Sequence, residues 1–230
     1  MYNKSILSSD QIVQNYYSVK EKIIRAADSV LRDAGDITLI VVSKTFDFDT
    51  IKPIIDIGHI DFGENKVQEA DLKWSEHLQN NKLCRLHLIG HLQTNKVKRA
   101  SQIFHSIHTV DSLKRINEIE KYKDDEASIT EDLFFEINMA MEENKSGFSQ
   151  SELELLLSES NNSHSQNYKG LMCIPPFAEE PSPYFMFLAK IASKYNLQNL
   201  SMGMSADFEK AIQFGATHIR VGSEIFGARK

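Results

Sequence analysis

The sequence predicts an α/β fold, a (β/α)8 TIM barrel preceded by an additional N-terminal amphipathic helix. Three observations carry this: eight short apolar runs, helical patterns between them, and a length of 230 residues without a dividing linker. Eight strand-then-helix units favour a closed barrel over an open doubly wound sheet.

The first element is the helix. Ile12, Tyr16, Val19, Ile23, Ala27 and Val30 recur at helical spacing behind the cap-like Ser8, Ser9 and Asp10, and Gly35 is read as its stop. From there the strand runs are ITLIVVSK, HIDFGEN, LHLIGHL, SIHTV, LFFEIN, YKGLMCI, LSMGM and THIRVGS. SESNNSHSQN (158–167) reads as a polar loop, and CIPPFAEEPSPY (173–184) is too rich in proline to be either element. The boundaries are a helix over about 10–34 and a barrel over about 36–229, within one domain of 1–230.

Composition narrows the function. Thirty-two acidic against 26 basic side chains give a net charge of -6, which argues against a nucleic-acid binder; Lys96, Lys98 and Arg99 read as a solvated helix face. Cys84 and Cys173 have neither disulfide nor metal-ligand spacing and read as buried thiols. No run has the length of a signal peptide core or of a membrane span, so a soluble, cytoplasmic protein is expected.

In a barrel, polar residues at the C-terminal strand ends line the active face. Those residues are Lys44, Glu64, Asn65, His91, Asp111, Asn138, Ser205 and the Arg220 to Ser223 segment. Alternation along the first strand puts Ile40, Val42 and Lys44 on one side, aiming Lys44 at the barrel mouth. A strand-terminal lysine is usually a snorkelling surface residue; a functional one needs partial desolvation, which favours the neutral amine that attacks carbonyls.

Ser205 opens the segment SADFEKAIQFGA and is read as the N-cap of a helix running to Gly215, a position suited to an anion. Arg220 shares an inward strand face with His218, and Gly222 and Ser223 follow with a close-approach backbone and a hydroxyl. Strand eight closes against strand one, so these pieces converge. An aldehyde with a phosphate tail fits them, and pyridoxal 5′-phosphate (PLP) is the economical candidate, with the aldehyde on Lys44, the phosphate on the last two loops and Arg220 facing the pyridine nitrogen. A cofactor-free Schiff-base aldolase is the competing use of such a lysine. A metal site is disfavoured: His87 and His91 lack a carboxylate at useful spacing, and His105 and His108 fall on opposite strand faces.

VVSKTF, FGENKVQEA, LHLIGHLQTNK, HTVDS, NKSGF, GLMCIPP and SMGMSADFEKAIQFGATHIRVGSEIFGAR follow one another from about Asp36 to Arg229. In order and spacing they resemble the pyridoxal phosphate homeostasis family, single-domain relatives of the alanine racemase barrel. The resemblance implies a Schiff-base lysine at Lys44, a cofactor-adjacent asparagine at Asn65, and phosphate contacts at Ser205, Gly222 and Ser223 with Met204 beside them. It places Arg220 opposite the ring nitrogen; Ser223 stands where many relatives have threonine, and His91 receives no role.

The resemblance further implies handling of PLP in vitamin B6 and amino-acid homeostasis, by buffering or delivery to PLP-dependent apoenzymes, without dedicated turnover. An arginine facing the ring nitrogen keeps that nitrogen unprotonated and weakens the ring as an electron sink. The related racemases draw a second acid/base tyrosine and their dimer contacts from a C-terminal domain that does not follow Lys230 here, so a monomer is expected. The alternative is a PLP-dependent enzyme of the amino-acid racemase type.

Overall fold

The structure, a computed structural model, describes residues 7–80, 83–139, 146–159 and 168–227. Eight parallel strands close in sequence order: β1 (Thr38–Val42), β2 (Asp61–Glu64), β3 (Arg85–Leu88), β4 (Ser106–Val110), β5 (Asp132–Ile137), β6 (Tyr168–Cys173), β7 (Asn199–Met204) and β8 (His218–Val221). Strand β8 pairs back onto β1, with Ile40 opposite Arg220. The predicted barrel is therefore the observed one, each strand overlapping its apolar run, with the largest departure at β3, which ends four residues before LHLIGHL does.

Helix α1 (Ser9–Asp28) precedes the barrel. The helices after successive strands are α2 (Phe48–Asp56), α3 (Val67–Asn80), α4 (Val97–Ile103), α5 (Leu113–Glu120), α6 (Gln150–Glu159), α7 (Ser182–Lys194), α8 (Phe208–Gln213) and α9 (Ser223–Phe226). Strand alternation sorts the core. Leu39, Val41, Phe62, Leu86, Ile107 and Leu171 face outward and are buried beneath the helices, while Ile40, His87, His108, Phe134, Ser201 and Arg220 fill the interior.

Helix α1 starts with a reciprocal box: Ser8 Oγ accepts from Gln11 N–H and the Gln11 side chain accepts from Ser8 N–H. Its apolar stripe packs on α2, α8 and α9. Asn15 donates to the Ile225 carbonyl at 3.0 Å, and Lys22 pairs with Glu224 at 3.1 Å. The helix thus fastens the segment that follows β8.

Gly35 does not end this helix, contrary to the sequence reading. The helix stops at Asp28, and Leu31 turns the chain at φ 56°. Arg32 explains the early exit, because its guanidinium reaches the Ile212 and Ala216 carbonyls at 2.7 and 2.9 Å and draws the chain off the helical course. Gly35 lies in a separate turn, its N–H on Asp33 Oδ1 at 2.7 Å. Of the two expected loops, Ser158 and Glu159 belong to α6 while 160–167 lie outside the described residues, and Ser182 to Tyr184 open α7. Asn144, Lys145 and Arg229 also lie outside them. Among the described residues no helix is long and apolar enough to cross a membrane.

Burial keeps several rings neutral. Desolvation lowers His59 to about 4 against a bond to the Asp61 carbonyl, lowers His218 to about 3, and pulls His108 well below the ordinary value. Unfolding restores a value near 6.5, so between these limits the unfolded chain binds more protons and stability falls as pH drops below 6.5. By pH 4.5 His59 and His218 are each expected to lose about 2–3 kcal/mol, together more than the roughly 2–3 kcal/mol that the raised Glu136 carboxyl regains over the same range, so Tm is expected to be lower at pH 4.5 than at pH 7. A Tm that stays flat from pH 7 to 4.5 in differential scanning calorimetry would contradict it.

Candidate functional site

The candidate site is the rim where β7, β8, β1 and β2 end. Lys44 lies two residues beyond β1, half-buried, in a turn tied down on both sides. On one side Ser43 is fully buried, its hydroxyl donating to Glu64 Oε1 at 2.8 Å. On the other, Thr45 N–H donates to Glu69 Oε1 at 2.8 Å with Thr45 in the left-handed region at φ 70°. A threonine is held there only if its surroundings dictate it, and such conformations gather at functional sites. With Ser43 turned outward, alternation directs Lys44 toward the mouth.

Glu64 corrects the sequence reading, which placed it on the active face. It points away, fully buried between β2 and α3, where Lys73 Nζ and Trp74 Nε1 donate to its Oε1 at 2.9 and 3.1 Å. Lys73 also donates to the Ser43 carbonyl at 2.9 Å. Strand alternation decides this: Phe62 and Glu64 share the outward face, and Gly63 faces Ile40 within the barrel. Asn65, one residue on, is half-buried at the rim. Gly90 lets the neighbouring strand end reach it, since a Cβ there would lie 2.3 Å from the Asn65 carbonyl oxygen.

Ser205 is a second correction. It is not the cap of α8, which begins at Phe208 after Asp207 and ends at Gln213, two residues short of the predicted stop at Gly215. Asp207 Oδ1 accepts from Met204 N–H at 2.6 Å and closes the turn, which frees Ser205 to accept from Gly222 N–H at 3.2 Å. The two phosphate-type loops thus touch directly. A side chain at Gly222 would meet the Val42 carbonyl at 3.0 Å, so this glycine brings the end of β8 against the strand carrying Lys44. Ser223 opens α9 with its side chain exposed, and Met204 is half-exposed on the rim.

Arg220 is buried in the barrel just below the rim. Its Nη1 donates to Ser201 Oγ at 2.8 Å and its Nη2 to the Cys173 carbonyl at 3.0 Å. Burial lowers its pKa, and the nearby Cys173, Asp207 and Glu136 oppose that. All seven predicted residues, Lys44, Asn65, Met204, Ser205, Arg220, Gly222 and Ser223, therefore occupy one contiguous arc.

Across the mouth lies a group the sequence reading left without a role. His91 pairs with Asp111 at 3.2 Å and lies 3.3 Å from Ser146 Oγ, and Arg115 Nε lies 3.5 Å from Asp111. Asn138, the strand-end candidate on β5, binds the Phe148 carbonyl through its backbone N–H at 3.0 Å. Cross-strand geometry also supplies His87 with a carboxylate that spacing along the chain hid, Asp61 at 2.9 Å. Among the described residues no group of three or more His, Cys, Asp or Glu is placed to hold a metal.

Glu136 was missed, although a lone carboxylate in LFFEIN on the Phe134 face was a visible signal. Burial, with Asp111 adding and Arg220 opposing, raises it to about 7. Its proton is held in the folded chain while the unfolded chain ionises near 4.5, so its contribution to stability is lost as pH rises from 4.5 through 7. Glu136→Gln is expected to stabilise the protein by about 1–2 kcal/mol at pH 8 and not at all below pH 4. Paired denaturant titrations at the two pH values test this, and equal effects at both would refute it.

The chain matches the family model of the alanine racemase N-terminal domain over residues 29–230. It is 38% identical over 223 residues to the pyridoxal phosphate homeostasis protein of Aquifex aeolicus (strain VF5), spanning 92% of this chain and 96% of that one. Identity to the Escherichia coli (strain K12) protein of the same name is 34% over 230 residues, 96% and 97% of the two chains. PipY of Synechococcus elongatus PCC7942, 30% identical, superposes with a TM-score of 0.78 without PLP, over 90% of this chain and 99% of that one. With PLP bound the TM-score is 0.72, over 90% and 100%. Matched along nearly its whole length and closed into the same barrel, the chain belongs to the pyridoxal phosphate homeostasis protein family, within the alanine racemase N-terminal domain fold.

Proposed function

We propose that this chain binds PLP at the β7–β8–β1–β2 rim and serves PLP homeostasis without dedicated turnover. The carrying observation is the contiguous arc in which the Ser205–Gly222 contact, buried Arg220 and the braced Lys44 turn meet. The donor set fits the cofactor. Lys44 would hold the aldehyde as a Schiff base, Ser205, Gly222 and Ser223 the phosphate beside Met204, and Asn65 would lie near the ring. PLP supplies an electrophilic aldehyde and a ring that stabilises carbanions when its nitrogen is protonated. Arg220, a donor that keeps its proton, would face that nitrogen and leave it unprotonated, which would weaken the electron sink.

Three tyrosines in the second half of the chain lie elsewhere or are otherwise engaged. Tyr168 begins β6 at the opposite end of the barrel, Tyr195 follows the last turn of α7, and the Tyr184 hydroxyl donates to Glu179. Relatives named for PLP homeostasis, and one solved with PLP bound, support the reading. Its finer parts, a monomeric cytoplasmic unit exchanging PLP transiently with apoenzymes, rest on the resemblance.

Borohydride reduction in the presence of PLP, followed by peptide mass spectrometry, is expected to place the adduct on Lys44; an adduct on another lysine overturns the site. Incubation with L-alanine is expected to leave its chirality unchanged over hours. Sustained racemisation that depends on Lys44 would replace this reading with that of an enzyme.

A further inference from the structure

Below Arg220 a chain of hydrogen bonds runs down the barrel axis through buried side chains of five strands. Ser201 Oγ accepts from Arg220 Nη1 at 2.8 Å and lies 2.7 Å from His108 Nδ1. His108 Nε2 lies 3.1 Å from His87 Nδ1 and 3.0 Å from Ser106 Oγ, and His87 Nε2 lies 2.9 Å from Asp61 Oδ1. Asp61 is clamped from outside by Arg85 through two bonds of 2.9 Å. His108 stacks on Phe134, with ring centroids 4.2 Å apart and planes inclined by 9°, so the ring cannot turn without breaking that contact.

Along the line Arg220–Ser201–His108–His87–Asp61 one arrangement of hydrogens gives each link a donor and an acceptor and also uses the Ser201 hydrogen, with Ser106 Oγ a second acceptor facing His108 Nε2–H. An arginine only donates, so Ser201 accepts from it and sends its own hydrogen to His108 Nδ1. His108, kept neutral by burial, then carries its proton on Nε2 and donates toward His87 Nδ1. His87 in turn donates from Nε2 to Asp61, whose carboxylate stays ionised because the bonds from His87 and Arg85 outweigh its burial. The reverse order gives Ser201, which is fully buried, two incoming donors and leaves its own hydrogen without an acceptor among its described hydrogen-bond partners.

We propose that Ser201, His108, His87 and Asp61 are positioning residues for Arg220, holding its guanidinium in one orientation toward the cofactor ring, with His108 locked as the Nε2–H tautomer. This rests on the PLP reading above. Without the chain, Arg220 would keep only the Cys173 carbonyl among these partners, and its remaining donors would be free to turn. The role is distinct from barrel packing, because a residue that merely filled space would leave the tautomer and the spectrum of bound PLP unaffected.

Long-range 15N–1H NMR of the wild-type apo protein is expected to show His108 neutral and protonated at Nε2 from about pH 6 to 8. A protonated Nδ1, or titration in that range, overturns the proposal. Ser201→Ala is expected to weaken PLP binding about tenfold, shift the absorption of bound PLP and scramble the His108 tautomer, with Ser201→Thr restoring all three. Unchanged affinity and spectrum in Ser201→Ala overturns it. The NMR result on wild-type protein decides the chain even if the variants do not fold. Failure of wild-type protein to bind PLP would remove the cofactor reading and this role with it, a result separable from the tautomer.

Discussion

Lys44→Ala is expected to abolish the borohydride-trapped PLP adduct and to weaken PLP binding on the order of 100-fold, about 2.7 kcal/mol. The residues proposed to hold the phosphate and ring, Ser205, Gly222, Ser223 and Arg220, are unchanged in the variant, so weak binding is expected to survive while covalent capture is not. Lys73 is the natural competitor, and the fold removes it. Its ammonium is held between Glu64 Oε1 and the Ser43 carbonyl on the helix side of the sheet, with the side chain only 9% exposed. Titration of PLP against wild-type and variant protein, with peptide mapping after reduction, tests both statements. A wild-type level of adduct in Lys44→Ala would sink the assignment.

Glu64→Ala is expected to cost about 3–5 kcal/mol of folding stability. Three donors converge on one carboxylate oxygen, and removing it leaves Lys73, Trp74 Nε1 and Ser43 Oγ without that acceptor. Part of the damage reaches the site, because Ser43 immediately precedes Lys44. The double variant Glu64→Leu with Lys73→Met removes both charges and is expected to recover most of the loss, since a well-packed apolar pair often replaces a buried ion pair at little cost. Urea unfolding of the three proteins separates these outcomes. A double variant no more stable than Glu64→Ala would show that the brace acts through something other than the uncompensated charge.

Much of the site was legible because it is local in sequence. Lys44 ends an apolar run, and Arg220, Gly222 and Ser223 are nearly consecutive, so strand periodicity alone aims them and barrel closure brings them together. Ser205 was found for a reason the structure replaces. Its hydroxyl does not cap a helix; it ties two strand ends together through Gly222, seventeen positions away. The axial chain was hidden for the same reason that His87 seemed to lack a carboxylate: Asp61, His87, His108 and Ser201 sit on four strands.

The sequence by itself determined the barrel, its eight strands and the family, because a period of two and a fixed order of motifs survive without knowledge of neighbours. Only the tertiary structure decided that Glu64 turns its back on the mouth, that α1 stops at Asp28 for the sake of Arg32, and that the barrel centre is a chain of polar side chains ending on Arg220. Those outcomes depend on which strands and helices lie side by side. Polar groups buried in such an interior must pair across the sheet with whatever the closed barrel presents.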